Sequence, residues 1–266
     1  AIFRCRFTAS GEFPCQVTLS EDAFSGDNRR WMILPIRDSL RIGLYGAETA
    51  TGRAWKRALQ ALDWVRLVQL TPDELQTELA CDAALLADGD GRTGAGIAGL
   101  LAQGGTVVWL PQTNRATASR SPGGAAIPDI AFQPDLSRKI HRLQIAKPDD
   151  EMFAIFENGE YGDPARGVFQ FRWLFARTAF PHAETILAYD DGVPALLRVK
   201  QPGFLYIWNL PLDAESSDWS RQAEYVTLLG ELLLSSRSGR RNSPEAEDAF
   251  PGQSLTWKAE QEIPAA

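Results

Sequence analysis

The sequence predicts an α/β fold: a mostly parallel sheet with helices on both faces, preceded by a few antiparallel β-strands. Three observations lead to this prediction. Residues 1–36 alternate apolar and polar side chains, as half-buried antiparallel strands do. Short apolar runs then alternate with helical segments between residues 40 and 110. Apolar strands return between residues 168 and 210, ahead of one long amphipathic helix.

The N-terminal segment, residues 1–36, is predicted to be the end of a β-sandwich domain. Cys5 and Cys15 flank a turn in it, so a hairpin would bring them close. Two interpretations stay open: a disulfide in an oxidising compartment, or two small apolar side chains on one strand face. The predicted strands alternate from Phe3 to Thr8 and from Phe13 to Leu19, and a third is Trp31–Ile36.

The central domain is predicted over residues 37–236. In its first half each apolar strand precedes a helical segment, and this order makes parallel strands through right-handed crossovers. One of these helices is predicted to start at Thr71, with Thr71 and Glu74 forming a capping box. The other elements are the strands Leu40–Tyr45, Val65–Leu70, Ala83–Ala87 and Thr106–Leu110 and the helices Gly52–Leu62 and Gly94–Gln103.

The second half of this domain follows a long loop or insertion over residues 111–150. A hairpin is predicted around the turn Asp190-Asp191-Gly192. Residues 237–266 are predicted to be a linker and the start of a truncated following segment. The predicted elements are the strands Val168–Phe175, Thr185–Tyr189, Ala195–Val199 and Phe204–Leu210 and the helix Asp218–Leu234.

Composition narrows the classes of partner. The net charge is −7 and the pI about 5.0, which argues against binding nucleic acid through a basic surface. No apolar run approaches the roughly 20 residues that a membrane-spanning helix needs, so we expect no direct membrane insertion. Neither zinc-ligand spacing nor a phosphate-binding glycine loop occurs, so we expect no cofactor and no metal. Because the chain begins at Ala1 without methionine, we also expect an excised or processed fragment.

Two pairs of segments resemble the class I glutamine amidotransferase-like superfamily. Cys81–Asp88 with Gly104–Leu110 is similar to the third strand, helix and fourth strand of such domains. Ile186–Leu196 with Gly203–Trp208 is similar to their closing hairpin and glycine-led strand. The resemblance implies a flavodoxin-like, glutamine amidotransferase-like fold.

A second resemblance covers nearly the whole chain. The segments Asp27–Arg29, Leu34–Ile36, Pro211–Asp213 and Ser217–Trp219 look like the C-terminal half of large bacterial membrane-associated proteins related to the Bat aerotolerance family. In that family a von Willebrand A domain and a β-sandwich precede the amidotransferase-like domain, and transmembrane helices anchor the protein. The resemblance implies a soluble domain of a cell-membrane protein, on a side not specified, whose partners are other protein domains of the same chain or complex.

Active amidotransferases of this class carry a cysteine in a Gly-x-Cys-x-Gly turn after the fourth strand, with a histidine base and a glutamate downstream. In this chain the corresponding position is Pro111, Gln112 and Thr113, which has neither a cysteine nor flanking glycines. Cys81 precedes a strand, and both histidines, His141 and His182, are predicted to be loop or surface residues. We therefore predict no catalytic residues.

Asp88 and Asp90 follow a predicted strand at the sheet edge where open α/β sheets bind ligands. Two carboxylates with glycines are a candidate ligand or cation site, although the rest of a calcium loop is missing. The alternative is a polar strand-to-helix turn.

Three functions follow from the sequence. The first is a non-catalytic binding or scaffold domain of a larger envelope-associated protein. The second is a hydrolase of unknown substrate on the same fold, using strand-end carboxylates such as Asp88, Asp90 or Glu48. The third is a carbohydrate-binding or oligomerisation module, as in the amidotransferase-like domains of some β-galactosidases.

Overall fold

The computed structural model describes residues 2–6, 11–18, 29–36, 39–87, 94–111, 119–120, 131–175, 180, 182–238 and 254–258. The chain forms two compact units. One is Leu40–Arg240, and the other joins Ala1–Ser39 with Arg241–Ala266.

Short strands dominate both units. The α-helices of the described residues are α1 (Ala50–Gln60), α2 (Ala95–Ala102) and α3 (Ala223–Ser238), and short 3₁₀ helices are Glu74–Gln76, Glu151–Phe156 and Trp219–Arg221. In chain order the strands are β1 (Ile2–Arg6), β2 (Gly11–Thr18), β3 (Arg29–Ile36), β4 (Leu40–Tyr45), β5 (Val65–Gln69), β6 (Ala83–Leu86), β7 (Thr106–Trp109), β8 (Ser119–Arg120), β9 (Ala131–Pro134), β10 (His141–Ile145), β11 (Val168–Phe169), β12 (Trp173–Leu174), β13 (Glu184–Tyr189), β14 (Pro194–Lys200), β15 (Phe204–Trp208) and β16 (Ser254–Lys258).

The unit that contains both termini is built from two antiparallel strand pairs. Strand β1 pairs with β16, and β2 pairs with β3. Because β1 and β2 pair with different strands, the described residues do not form the hairpin expected to bring Cys5 and Cys15 together.

The larger unit contains a nine-stranded mixed sheet with the strand order β11-β10-β13-β14-β15-β7-β6-β4-β5. From β15 to β5 all neighbours are parallel, and we call this the parallel half. From β11 to β15 all neighbours are antiparallel. Strands β10, β11, β13 and β14, together with the link from β11 to β12 that holds Arg172, form the antiparallel half.

The predicted mostly parallel, flavodoxin-like sheet with helices on both faces is wrong. Of the twelve strand pairs among the described residues, eight are antiparallel. Only residues 190–193 separate β13 from β14, and only residues 201–203 separate β14 from β15. Such short links reverse the chain, whereas a parallel pair needs a crossover of a dozen or more residues. The βαβ order of the first half does not extend to β10, β11, β13 and β14, whose pairings are all antiparallel.

Helix α1 begins where its sequence predicts, within two residues. The Thr49 hydroxyl accepts a hydrogen bond from the Gly52 backbone N–H at 2.9 Å, which makes Thr49 the N-cap. A Cβ on Gly52 would lie 2.1 Å from the Gly46 carbonyl oxygen, so only glycine allows this tight turn from β4 into α1. The helix predicted from Thr71 shrinks to the 3₁₀ turn Glu74–Gln76, although its capping box forms: Thr71 N–H donates to Glu74 Oε2 at 2.7 Å.

The core lies between the parallel strands and the helices. Strands β6 and β7 are buried along their whole length, as expected for parallel strands covered on both faces. A Cβ on Gly203 would lie 2.1 Å from the Gly105 carbonyl oxygen, so glycine lets β15 enter the sheet beside β7. None of the described helices is long and apolar enough to cross a bilayer. The predicted inward face of the last helical region is confirmed, since its five residues are buried: Trp219, Tyr225, Leu228, Leu229 and Leu232.

Candidate functional site: the carboxyl edge of the sheet

The carboxyl edge is the side of the sheet at which the parallel strands end. Leu196 of β14 lies opposite Trp208, the last residue of β15, so the β13–β14 turn falls at this edge. Leu143 near the start of β10 lies opposite Tyr189, the last residue of β13, so β10 begins at the same edge. The ends of the parallel strands and a charged turn of the antiparallel half therefore share one side of the unit.

The predicted Asp88/Asp90 turn lies outside the described residues, so its role stays a prediction. The residue before it, Ala87, is buried and donates its backbone N–H to the Tyr45 carbonyl oxygen at 3.0 Å. Glu48, the third carboxylate considered in the sequence, is exposed in the turn from β4 into α1.

The predicted elbow position is only partly described. Leu110 donates its N–H to the Leu86 carbonyl oxygen at 3.0 Å, and Pro111 is buried directly after it. Gln112 and Thr113 lie outside the described residues. Cys81 is half-buried against the core just before β6, at the opposite edge, as the sequence predicts.

An arginine in the antiparallel half binds two carboxylates at the carboxyl edge. Arg172 is buried, and its Nε donates to Asp135 Oδ2 at 2.8 Å. Its two terminal nitrogens donate to the two oxygens of Asp191 at 2.6 and 2.5 Å. The guanidinium also lies 5.1 Å from the centre of the Tyr189 ring. This bidentate, charge-assisted geometry is the strong form of an arginine–carboxylate pair.

His141 completes this cluster, and its predicted surface position is wrong because it is only 4% exposed. Its Nε2 lies 3.4 Å from Asp135 Oδ2, and its Nδ1 lies 3.7 Å from Asp190 Oδ1. The ring also meets Tyr189 edge to face, with centroids 5.8 Å apart. We call Asp135, His141, Arg172, Asp190 and Asp191 the Arg172 cluster.

No protein-family model matches the chain, and no curated protein matches it.

The pKa values of the Arg172 cluster follow from its pairing. The hydrogen bond from Arg172 lowers the pKa of Asp191 to about 2, against the opposing effect of burial. Burial works to raise the pKa of Asp135, but hydrogen bonds from Ser137 and Arg172 hold it below its usual value. Burial raises the pKa of the Tyr189 hydroxyl well above its usual value. Both acids with shifted pKa values are thus fixed as carboxylates at neutral pH.

The spacing of His141, Asp190 and Asp191 raises the question of a metal ion, because one ligand atom of each lies within 4.8 Å of the others. However, both Asp191 oxygens already accept hydrogen bonds from the Arg172 guanidinium. A divalent cation at this point would have to displace that buried positive charge or sit beside it. The donor set therefore fits an internal ion-pair cluster better than a metal site.

A second buried cluster lies towards the other end of the antiparallel half. Arg198 of β14 donates to Asp150 at 3.1 and 2.5 Å and to Glu184 at 2.9 and 2.7 Å. Lys147 donates to the other Glu184 oxygen at 2.8 Å. The hydrogen bond from Lys147 is the largest cause that lowers the pKa of Glu184 to about 2. We call these four residues the Arg198 cluster.

Asn209 joins the two halves at the carboxyl edge. It is buried just after β15, and its Oδ1 accepts the Trp173 N–H at 2.8 Å. Its Nδ2 donates to the Trp173 and Pro194 carbonyl oxygens at 2.9 and 3.0 Å. The Tyr189 hydroxyl donates to the Asn209 carbonyl oxygen at 2.5 Å. All these contacts are to the backbone or within the core, so the amide acts as an internal clamp.

The sequence identified the backbone of the Asp190-Asp191-Gly192 turn but not its electrostatic role. Gly192 has a φ of 85°, as the hairpin turn requires. The partner of Asp191 is Arg172, which stands in a predicted apolar strand. A charged residue inside an apolar run is rarely buried without a partner, so Arg172 in this strand indicates a buried ion pair. Its partners could not be named from local pattern alone.

Proposed function

We propose that this chain is a non-catalytic binding or scaffold domain. The observation that carries the proposal is the bidentate pairing of Arg172 with Asp191, reinforced by its bond to Asp135. The charged groups gathered at the carboxyl edge are thereby occupied with one another. Catalytic acids and bases need pKa values tuned towards the working pH, whereas the pKa values of Asp135 and Asp191 are held low.

The elbow position adds support. Buried Pro111 follows β7 at the point where an amidotransferase-like chain would present its nucleophile. Proline has no backbone N–H to donate to an oxyanion. The proposed assignment to an envelope-associated, Bat-related protein is supported by the short sequence similarities at Asp27–Arg29, Leu34–Ile36, Pro211–Asp213 and Ser217–Trp219.

The hydrolase alternative needs two carboxylates that converge on a substrate, at least one with a raised pKa. Asp135 and Asp191, the carboxylates described near this edge with shifted pKa values, are shifted in the opposite direction. The oligomerisation alternative is compatible with a binding domain, and it is favoured by two exposed loops of opposite charge, Leu136–Ile140 and Glu157–Asp163.

A hydrolysis assay tests the proposal. The purified chain is incubated with glutamine and with p-nitrophenyl esters and glycosides, and we expect no turnover above the uncatalysed rate. Three variants, His141→Gln, Glu48→Gln and Gln112→Ala, are assayed beside it. Hydrolysis that is lost in any of these variants, while the variant stays folded by circular dichroism, would contradict a non-catalytic role. A trace activity that persists unchanged in all three, and also in a fourth variant with Asp88→Asn and Asp90→Asn, belongs to a contaminant and leaves the expected result in place.

A further inference from the structure

Two exposed loops of the larger unit carry opposite charge, and each displays large apolar side chains. The basic loop, Leu136–Ile140, joins β9 to β10 and holds Arg138 and Lys139. Its Leu136 and Ile140 are 78% and 62% exposed. Isolated exposed apolar residues are ordinary, but two on one short loop flanking two cations form a candidate contact surface.

The acidic loop, Glu157–Asp163, follows the 3₁₀ helix Glu151–Phe156. It carries Glu157, Glu160 and Asp163 around Tyr161, which is 42% exposed. Tyrosine is favoured at interfaces because it offers a large rigid apolar surface and a hydroxyl. The large hydrophobic residues described as exposed in this unit thus fall on two loops of opposite charge.

The conformation of the basic loop is fixed by hydrogen bonds of Asp135. Asp135 Oδ1 accepts the Ser137 N–H at 2.9 Å, while the other oxygen of Asp135 binds Arg172. Arg138 has a φ of 55°, a left-handed conformation that costs a non-glycine residue roughly 1–2 kcal/mol. Strain of this kind persists only where the surroundings impose it. The Arg172 cluster therefore presents Leu136 and Ile140 on a fixed loop.

The acidic loop is also held by its own turns. Asn158 Oδ1 accepts the Glu160 N–H at 3.0 Å, and Asp163 Oδ1 accepts the Ala165 N–H at 2.8 Å. Gly159 and Gly162 take φ values of 74° and 77°, which allow the chain to turn twice around Tyr161. Two preorganised loops lose little conformational entropy when they meet, which favours association.

We propose that the chain self-associates by docking the basic loop of one copy onto the acidic loop of a second copy. Arg138 and Lys139 face Glu157 and Glu160 across the contact, while Leu136 and Ile140 pack around Tyr161. Charge complementarity favours a second copy of the chain as the partner, because the basic loop matches an acidic loop that the same chain carries. The chain as a whole is acidic, with a net charge of −7. Such a small contact makes a weak association. This inference rests on the proposed binding function and names its partner.

Sedimentation velocity over a series of concentrations measures the association. Wild type is expected to self-associate with a dissociation constant below about 1 mM. Raising the salt from about 0.1 M to about 1 M shortens the screening length from about 10 Å to about 3 Å and should weaken the association several-fold. A chain that stays monomeric throughout the series overturns the inference.

Charge reversal locates the contact. Variant one, Arg138→Glu with Lys139→Glu, makes both loops acidic, and variant two, Glu157→Lys with Glu160→Lys, makes both basic. Each alone is expected to lose at least about tenfold in affinity, which corresponds to about 1.4 kcal/mol. Mixed one to one, the two variants have complementary loops again and should associate within about threefold of wild type. Loss of association in the mixture overturns the contact, and recovery also proves that both variants are folded.

A matched control excludes a bulk-charge effect. Arg57→Glu with Arg66→Glu makes the same change in net charge on exposed residues of α1 and β5. Strand β5 is seven strand spacings of about 4.8 Å from β10, so this control lies roughly 30 Å from the basic loop. It should keep wild-type self-association, and an equal loss in the control overturns the inference.

Vesicles of phosphatidylglycerol and phosphatidylcholine test whether the basic loop binds an anionic lipid surface instead of a second copy of the chain. Binding of the wild-type chain to them, lost in variant one and without self-association in solution, would assign the basic loop to a lipid surface instead. A monomer without hydrolase activity defeats this inference but keeps the proposed function, whereas an active hydrolase defeats the proposed function whatever its oligomeric state.

Discussion

The parallel half of the nine-stranded sheet buries apolar strands beneath helices, whereas the antiparallel half also buries arginines that are paired with carboxylates. Strands β6 and β7 contribute only buried residues, most of them aliphatic. In the antiparallel half, Arg172 and Arg198 are both buried, each bonded to two acids. The two halves thus depend on different forces, non-directional apolar burial on one side and geometry-dependent ion pairing on the other.

The pKa values of acidic groups differ in the same way between the halves. Hydrogen bonds from Lys147 and Arg198 lower the pKa of Glu184 to about 2 against the opposing effect of burial, and the hydrogen bond from Arg172 lowers that of Asp191 to about 2. Burial instead raises the pKa of Glu231 to about 7. Glu231 lies on α3, which contacts α1 and β7 of the parallel half and also the 3₁₀ helix Glu151–Phe156. The ionised form of a carboxyl group is therefore stabilised where a cation is paired with it and destabilised where only burial acts.

The largest expected effect comes from breaking the Arg198 cluster. Arg198→Met should lower the free energy of unfolding by about 3–5 kcal/mol, because it leaves Asp150 buried as a charge without its guanidinium. Urea denaturation followed by tryptophan fluorescence measures the loss. Arg66→Met on the exposed edge strand is the control and should change stability by less than about 0.5 kcal/mol. A loss below about 1 kcal/mol for Arg198→Met would remove the contrast between the halves.

The next effect tests the clamp between the halves. Asn209→Ala should cost about 2–3 kcal/mol, since it leaves the Trp173 and Pro194 backbone groups buried without their partners. The same denaturation experiment measures it, with exposed Asn158→Ala as the matched control. If the two alanine variants proved equally stable, Asn209 would not be joining the halves.

A smaller effect, a gain in the free energy of unfolding instead of a loss, is expected when the charge of Glu231 is removed. Because the folded pKa of Glu231 is about 7 and an unfolded glutamate titrates near about 4.3, the native state binds more protons between these values. Stability attributable to this group is therefore greatest at low pH and falls as pH rises towards 7. Glu231→Gln should stabilise the chain by about 2 kcal/mol at pH 8 and leave it nearly unchanged at pH 4.

Glu184 and Asp191 in the antiparallel half should make the stability depend on pH in the opposite direction. The folded pKa values of Glu184 and Asp191 are depressed, so their contribution to stability is present above the unfolded values near about 4 and is lost as pH falls towards 2.

Glu78→Gln, an exposed substitution, is the control for the Glu231 variant. A Glu231→Gln variant whose stability tracks wild type from pH 4 to pH 8 would show that the carboxyl is not penalised.

The sequence predicted the parallel half well, because its signals are local. All five parallel strands, β4, β5, β6, β7 and β15, appear as short apolar runs, and Thr49 precedes a clear helical period in α1. The antiparallel half was predicted less well. The hairpin predicted around Asp190-Asp191-Gly192 is confirmed by the antiparallel pairing of β13 with β14. The pairings of β14 with β15 and of β10 with β13 were not predicted, because strand direction depends on which partners pair.

The candidate site was harder to predict than the fold because its contacts are long-range. Arg172 and Asp135 are 37 residues apart, and Arg198 and Asp150 are 48 apart. No spacing rule connects such residues before the sheet order is known. The predicted Asp88/Asp90 turn came from a local rule about strand ends, and it remains a prediction because it lies outside the described residues.

The most direct measurement is the unfolding free energy of Arg172→Met, since the central claim is that charges at the carboxyl edge hold the fold rather than perform chemistry. Arg142→Met, an exposed substitution on β10, is its control. A loss of about 3–5 kcal/mol is expected for Arg172→Met, because Asp135 would stay buried without its arginine. Unchanged or increased stability would contradict it, because that is the behaviour of a charge kept for activity at the expense of stability.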